Sequence, residues 1–202
     1  MQAKDKVTAK TGYHHGDLRQ QLVTATRQLV EEKGQDNFSV SDACRKAGVS
    51  TAAPYRHFSD RQEMLHAVAL EGMAEMKTAF DAALEGKTPC SKDAIAAIGE
   101  AYVAFAVAHP GMFRMMFAHH DPDETLKTRG DACYGVLLQQ VGGFIGVPAD
   151  AEEGRAASFP LWTFVHGLAF LAIDRKVEFA DMSVQVPQMV QLATDRLLVA
   201  KS

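Results

Sequence analysis

Between Phe38 and Phe58 the chain reads F-S-V-S-D-A-C-R-K-A-G-V-S-T-A-A-P-Y-R-H-F. This stretch gathers hydroxyls at Ser39, Ser41, Thr51 and Tyr55, a guanidinium at Arg56 and an imidazole at His57. No nucleophile here stands beside a base, so the pattern does not suggest catalysis. It suggests hydrogen bonds to phosphate oxygens and base edges. The spacing agrees. Ser39 suits a helix N-cap, with Asp42 three residues on to complete a capping box. Val40, Ala43, Cys44 and Ala47 follow i, i+3, i+4, i+7 and make one face of small residues. Gly48 suits the end of that helix, because glycine takes a positive φ at little cost. Ser50 suits the cap of a second helix running to about His57. Two short helices meeting at a glycine turn form a helix-turn-helix, whose second helix enters the major groove of DNA.

Other residues of chemical interest form looser patterns. His119, His120, Asp121 and Asp123 have metal-ligating types, but no second cluster completes a site and a surface turn explains them as well. His14 and His15 read the same way and could touch DNA backbone. Cys44, Cys90 and Cys133 have neither pairing nor metal spacing, and an odd, scattered set fits a reducing cytoplasm. Cys44 reads as a small buried hydrophobe. Further along, Phe80, Tyr102, Phe105, Met112, Phe113, Met116, Tyr134, Trp162 and His166 could line an adaptable apolar pocket. Each of them would also serve as plain core. Tyr102 and His166 are the best polar candidates, because a polar tip in an apolar helix needs a partner.

The elements that must hold these residues are all helical. A first helix spans about His15 to Gly34, with Leu18, Leu22, Ala25 and Leu29 inward. After Phe58, Ser59 or Asp60 caps a long fourth helix ending near Leu84, before Gly86 and Pro89. Ser91 caps a fifth, and Pro110 opens a short sixth. Asp121-Pro122 starts a seventh that ends at Gly146. Asp150 caps an eighth, which Pro160 should kink or divide. A ninth runs from about Val184 to Val199. The pocket would lie between the long fourth helix and the fifth to eighth. The last two helices are more apolar than one small domain can cover, which suggests a partner subunit.

Composition bounds the rest. Of 202 residues, 47% are hydrophobic, enough for a sizeable core. The net charge of −4 hides an asymmetry: residues 1–66 carry +2 and residues 67–202 carry −6. A mildly basic end on an acidic body fits DNA contact through one end, though ordinary scatter would give the same difference. The first thirteen residues read as a flexible basic tail with Lys4, Lys6 and Lys10. No secretory signal is legible, and the apolar run near Phe159 to Ile173 is short for a membrane span. A soluble, cytoplasmic protein is expected.

The run A-G-V-S followed by P-Y-R-H-F-S-D-R-Q-E-M-L resembles the helix-turn-helix of the tetracycline-repressor (TetR) family of bacterial transcription regulators. The segments G-Y-H-H-G-D-L-R, H-P-G-M-F-R-M-M-F and L-W-T-F-V-H-G-L resemble a subgroup with a Trp/His/Gly-bearing C-terminal domain. The resemblance implies an all-α fold of about nine helices. A DNA-binding domain over residues 14–66 would precede a ligand-binding and dimerisation domain over residues 67–202. It further implies a ligand-responsive repressor, acting as a homodimer through its last two helices on a pseudo-palindromic operator in double-stranded DNA. The effector would be a small molecule, with no cofactor, no membrane and no enzymatic activity. By position in the motif, Thr51, Ala52 and Ala53 match base-facing sites, and Tyr55 and His57 match phosphate-contacting sites. Arg61 stands where the family has a lysine on phosphate. Ala52, Ala53 and Pro54 depart from the family's Gly, Thr and Leu. Alanines cannot hydrogen-bond base edges, so readout should lean on thymine methyls, Thr51, Arg56 and DNA shape. The rival readings are a helical small-molecule carrier or enzyme with a vestigial head, and a helical protein-binding adaptor.

Overall fold

The computed structural model describes residues 15–118, 123–176 and 185–199. The basic tail, His14, the His119-His120-Asp121 turn and the start of the last helix at Val184 lie outside the described residues. Among those described are eight α-helices, one 3₁₀ turn and no strand. In chain order the helices are α1 (His15–Lys33), α2 (Val40–Ala47), α3 (Arg61–Leu84), α4 (Lys92–Ala108), α5 (Pro110–Ala118), α6 (Glu124–Ile145), α7 (Glu152–Ile173) and α8 (Val186–Leu197).

Local chemistry sets most boundaries. Ser39 and Asp42 form the reciprocal capping box at the start of α2, and Gly48 ends that helix at φ 69°. Asp60 caps α3 by accepting from the Glu63 amide, and Ser91 caps α4 through the Ala94 amide. Gly146 closes α6 at φ 75°. Two expected caps fall elsewhere. Asp123, not Asp121, caps α6. The N-cap of α7 is Ala151, not Asp150, and makes no side-chain cap bond. Pro160 does not divide α7, which runs unbroken for 22 residues. Its ring sits on the exposed side of the helix, where water can satisfy the carbonyl it leaves unbonded.

The second helix of the helix-turn-helix also differs from expectation. It is not an α-helix from Ser50 to His57 but a turn followed by 3₁₀ winding over Pro54–Arg56. The bonds are short-range: Ala53 N–H to Ser50 O, Arg56 N–H to Ala53 O, and His57 N–H to Pro54 O. Pro54 is the cause. It has no N–H to donate back to Ser50, although Ala53 itself stays in the α region at φ −64° and ψ −40°.

One apolar core runs from Leu22 and Val30 of α1, through Met64 and Val68 of α3, to Met112 and Phe113 of α5. A polar joint reinforces it. The Glu31 carboxylate on α1 accepts from the Gly111 and Met112 amides at 2.7 and 3.0 Å, at the start of α5. Arg27, one turn earlier, makes a forked ion pair with Glu75 of α3 at 2.5 and 2.9 Å. Gly111 is required there. A Cβ on it would lie 2.6 Å from the Val30 carbonyl oxygen. α5 leaves α4 at 107°, so it crosses beneath α1 and points its far end into the body.

The body packs α4 at its centre against α3, α7 and α8. α7 is long and apolar enough to cross a membrane by length and composition. Here its inner face, with Leu161, Val165, Leu168 and Ala169, is buried.

Candidate functional site

Two places in the fold gather the residues singled out by sequence. The first is the tip of the head. α1, α2 and the start of α3 hold it, with Phe38 and Phe58 buried between them. Thr51, Ala52, Tyr55 and Arg56 are exposed, and Tyr55 is 65% exposed despite its size. Ser39 and Ser41 are exposed at the start of α2. The Ser39 hydroxyl is engaged with Asp42, whose carboxyl the Ser39 amide and hydroxyl hold below the usual carboxylate range. Ala53 is half-buried against the core, so it presents less surface than Ala52. His57 is half-buried, and its Nε2 is buried without a hydrogen-bond partner among the described residues.

Arg61 is not a freely projecting cation. Its guanidinium lies 4.5 Å from the centre of the Phe38 ring, and its Nε donates to the Phe38 carbonyl at 3.0 Å. Its Nη2 is buried and has no hydrogen-bond partner among the described residues. To meet a phosphate, Arg61 would have to leave this ring. Cys44 is buried on the inner face of α2, and burial pushes its thiol pKa up.

The second place is a cavity of about 490 Å³ in the body, bounded by α3 to α8. Of the residues expected around a pocket, Phe80, Tyr102, Met116, Tyr134 and Trp162 line it. Phe105, Met112, Phe113 and His166 do not. The sharp α4–α5 bend explains three of these. Phe105 packs edge-on against the His109 ring at the bend, and Met112 and Phe113 in the first turn of α5 are fully enclosed. The last turn of α5 reaches the cavity instead, through Met116 and Phe117. His166 stands behind the wall. Its Nδ1 and the Tyr102 hydroxyl are 2.7 Å apart, and the rings of Phe117, Phe170 and Trp162 surround it at 4.9, 5.1 and 5.2 Å. Burial holds its imidazole below the ordinary pKa of 6.5 and keeps the Tyr102 phenol well above its usual range.

Met73 and Met76 of α3, Cys133 and Leu137 of α6, and Val190 and Thr194 of α8 also line the cavity, and the expected pocket did not include them. The Cys133 thiol lies 3.3 Å from the Met73 carbonyl, and burial raises it to about 11. Two glycines let the walls close. A Cβ on Gly99 would lie 2.8 Å from Val190 Cγ1, and one on Gly72 would lie 2.6 Å from Met116 Sδ. Among the described residues no three His, Cys, Asp or Glu side chains cluster as a metal site.

Comparison with known proteins places both halves. Residues 22–68 match the family model of bacterial regulatory proteins of the tetR family, and residues 95–197 match the tetracyclin repressor-like C-terminal domain. No curated protein matches the chain. Among solved structures, a protein of unknown function from Rhodococcus sp. RHA1 is 29% identical over 94% of this chain and 97% of its own, at a TM-score of 0.78. A tetR-family transcriptional regulator from Streptomyces coelicolor superposes at 0.71, with 14% identity over 92% and 80% of the two chains. The fatty acid degradation regulator FadR from Bacillus halodurans superposes at 0.67, with 13% identity over 89% and 97%. An exposed helix-turn-helix tip joined to a hollow helical body, with family models matching both parts, makes this chain a member of the TetR family of DNA-binding transcriptional regulators.

Proposed function

We propose that the protein is a repressor that binds a pseudo-palindromic operator as a homodimer and is released by a small apolar effector held in the body cavity. The observation that carries this reading is the pairing of an exposed polar tip with an apolar cavity, linked through α5. Met116 and Phe117 at one end of α5 line the cavity, while Glu31 of α1 holds its other end. A ligand that displaces those two side chains would bias the position of α1. The bias is limited to the ligand's difference in affinity between the two head positions.

In this reading Thr51, Ala52 and Arg56 meet bases, with Ala53 contributing less. Tyr55, His57, Ser39 and Ser41 meet phosphates, with Tyr55, Ser39 and Ser41 exposed and His57 half-buried. Arg61 mainly braces Phe38, with a phosphate contact second. The DNA-binding unit ends near residue 66. The dimer would form through α7 and α8, which leave Phe159, Leu171, Leu192 and Leu197 about half exposed. Two heads would then sit about 34–36 Å apart or a multiple of it. Function would be cytoplasmic, with no enzymatic step.

Selection of bound sequences from random duplex DNA, followed by gel shift, tests this directly. A two-fold symmetric motif bound by the dimer is expected. Enrichment of no motif, with a folded protein, would refute it. A non-symmetric motif bound by one copy would remove the dimer part alone.

A further inference from the structure

The charges around the cavity say what kind of molecule it can hold. The interior wall is formed by methionine, leucine, isoleucine, valine and aromatic side chains. Five uncharged polar tips interrupt it: the hydroxyls of Tyr102, Tyr134 and Thr194, the Cys133 thiol and the Trp162 indole N–H. The Tyr102 hydroxyl is paired with His166 Nδ1, the Thr194 hydroxyl donates to the Val190 carbonyl at 2.9 Å, and the Cys133 thiol points at the Met73 carbonyl. Tyr102 and Cys133 stay protonated and His166 stays neutral, because burial opposes the charged form of each. The charged groups of the lining are Lys127 and Asp131, both exposed on α6. They lie one helical turn apart with opposite signs, so they offset each other at the rim.

We propose that the cavity selects an uncharged, largely apolar molecule that carries one hydroxyl-like group for the Tyr102–His166 pair, and that it rejects carboxylates and phosphates. This rests on the reading of the cavity as the effector site. An anion inside would lose its hydration and find no cation to pair with, a burial that strongly disfavours binding. A hydroxyl both donates and accepts, so it fits Tyr102 whichever imidazole nitrogen carries the proton. The volume suits a ligand of roughly drug size. Methionines at three points of the wall, Met73, Met76 and Met116, let the apolar part vary in shape.

The test uses a neutral fluorescent probe, N-phenyl-1-naphthylamine, which brightens in apolar sites, and a matched pair of competitors, decanol and decanoate, at neutral pH. Decanol is expected to displace the probe at a concentration roughly tenfold or more below decanoate. Tyr102→Phe is expected to narrow that gap by weakening decanol, because the hydroxyl loses its partner. Equal or tighter binding of decanoate overturns the proposal. If that tight binding vanishes in Lys127→Ala, the rim lysine holds the carboxylate and the proposal still falls. Failure of the probe to bind the folded protein would instead sink the effector-cavity reading, and this inference with it. Competition that favours the acid sinks the inference alone.

Discussion

Removing the Glu31 carboxylate should loosen the joint between head and body by an amount the structure allows to be worked out. Glu31 accepts two amide hydrogen bonds at the start of α5, from Gly111 at 2.7 Å and Met112 at 3.0 Å. Those amides are among the four that a helix start leaves without internal partners. Bonds to a charged acceptor contribute about 1.5–3 kcal/mol each, more than neutral ones. The site is part-buried, so water recovers some of this in a truncated variant. Glu31→Ala should therefore cost about 2–3 kcal/mol in all. For a chain of this size that lowers the melting temperature by roughly 4–12 °C. Glu31→Gln keeps one acceptor and should cost about half as much. Thermal melts by far-ultraviolet circular dichroism measure both. Hydrogen exchange should show faster amide turnover at Gly111 and Met112, with the interior of α4 little changed. Melting of Glu31→Ala within about one degree of the parent would refute the reasoning. The two bonds would then contribute nothing that water does not replace.

Four other outcomes follow from the same structure. His166 is held below its ordinary 6.5 by burial, so the unfolded chain takes up a proton that the folded protein resists. Stability is complete above about pH 6.5 and falls as pH drops through the lower folded value; His166→Phe should flatten that part of a pH series of denaturant titrations. Cys133 has the opposite sense. Its contribution is complete below pH 9.0 and is lost as pH rises toward about 11, a loss that Cys133→Ala should remove. On the head, Ala52→Asn should alter the preferred half-site, because Ala52 is exposed and an amide can pair with adenine. An unchanged motif after selection from random DNA would count against base contact there. On the body, Leu192→Glu places a charge on the exposed face of α8 and should shift the protein toward monomer in light scattering, with weaker operator binding. A dimer of unchanged strength would show that α8 lies outside the interface.

Much of the fold can be read without coordinates, for local reasons. The capping box of Ser39 and Asp42, the left-handed Gly48 and the caps at Asp60 and Ser91 each depend on residues within one turn of one another. That information is local, and the helix-turn-helix motif condenses it. Local rules fail where two of them compete. Ser50 signals a helix start, but Pro54 four residues later withholds the amide that a first α-turn requires, and 3₁₀ winding results. Asp150 has the right side chain for a cap and is passed over for Ala151. The family match independently supports the sequence-level assignment of the head and helical body.

The placement of side chains around the cavity was decided by tertiary structure alone. Periodicity marks Tyr102 and Phe105 equally as apolar-face residues of α4, and no count along the chain says which one meets empty space. The 107° bend between α4 and α5 separates them, leaving Tyr102 on the wall and Phe105 against His109. The pairing of Tyr102 with His166, 64 residues away, and the part played by α8 come from packing between distant elements. Arg61 makes the same point on the head. Its charge is plain in the sequence, but its availability depends on a phenylalanine 23 residues earlier, over which its guanidinium lies. Helices arise from contacts within a few residues. A cavity is the space that several helices leave between them, so its lining belongs to the assembled fold.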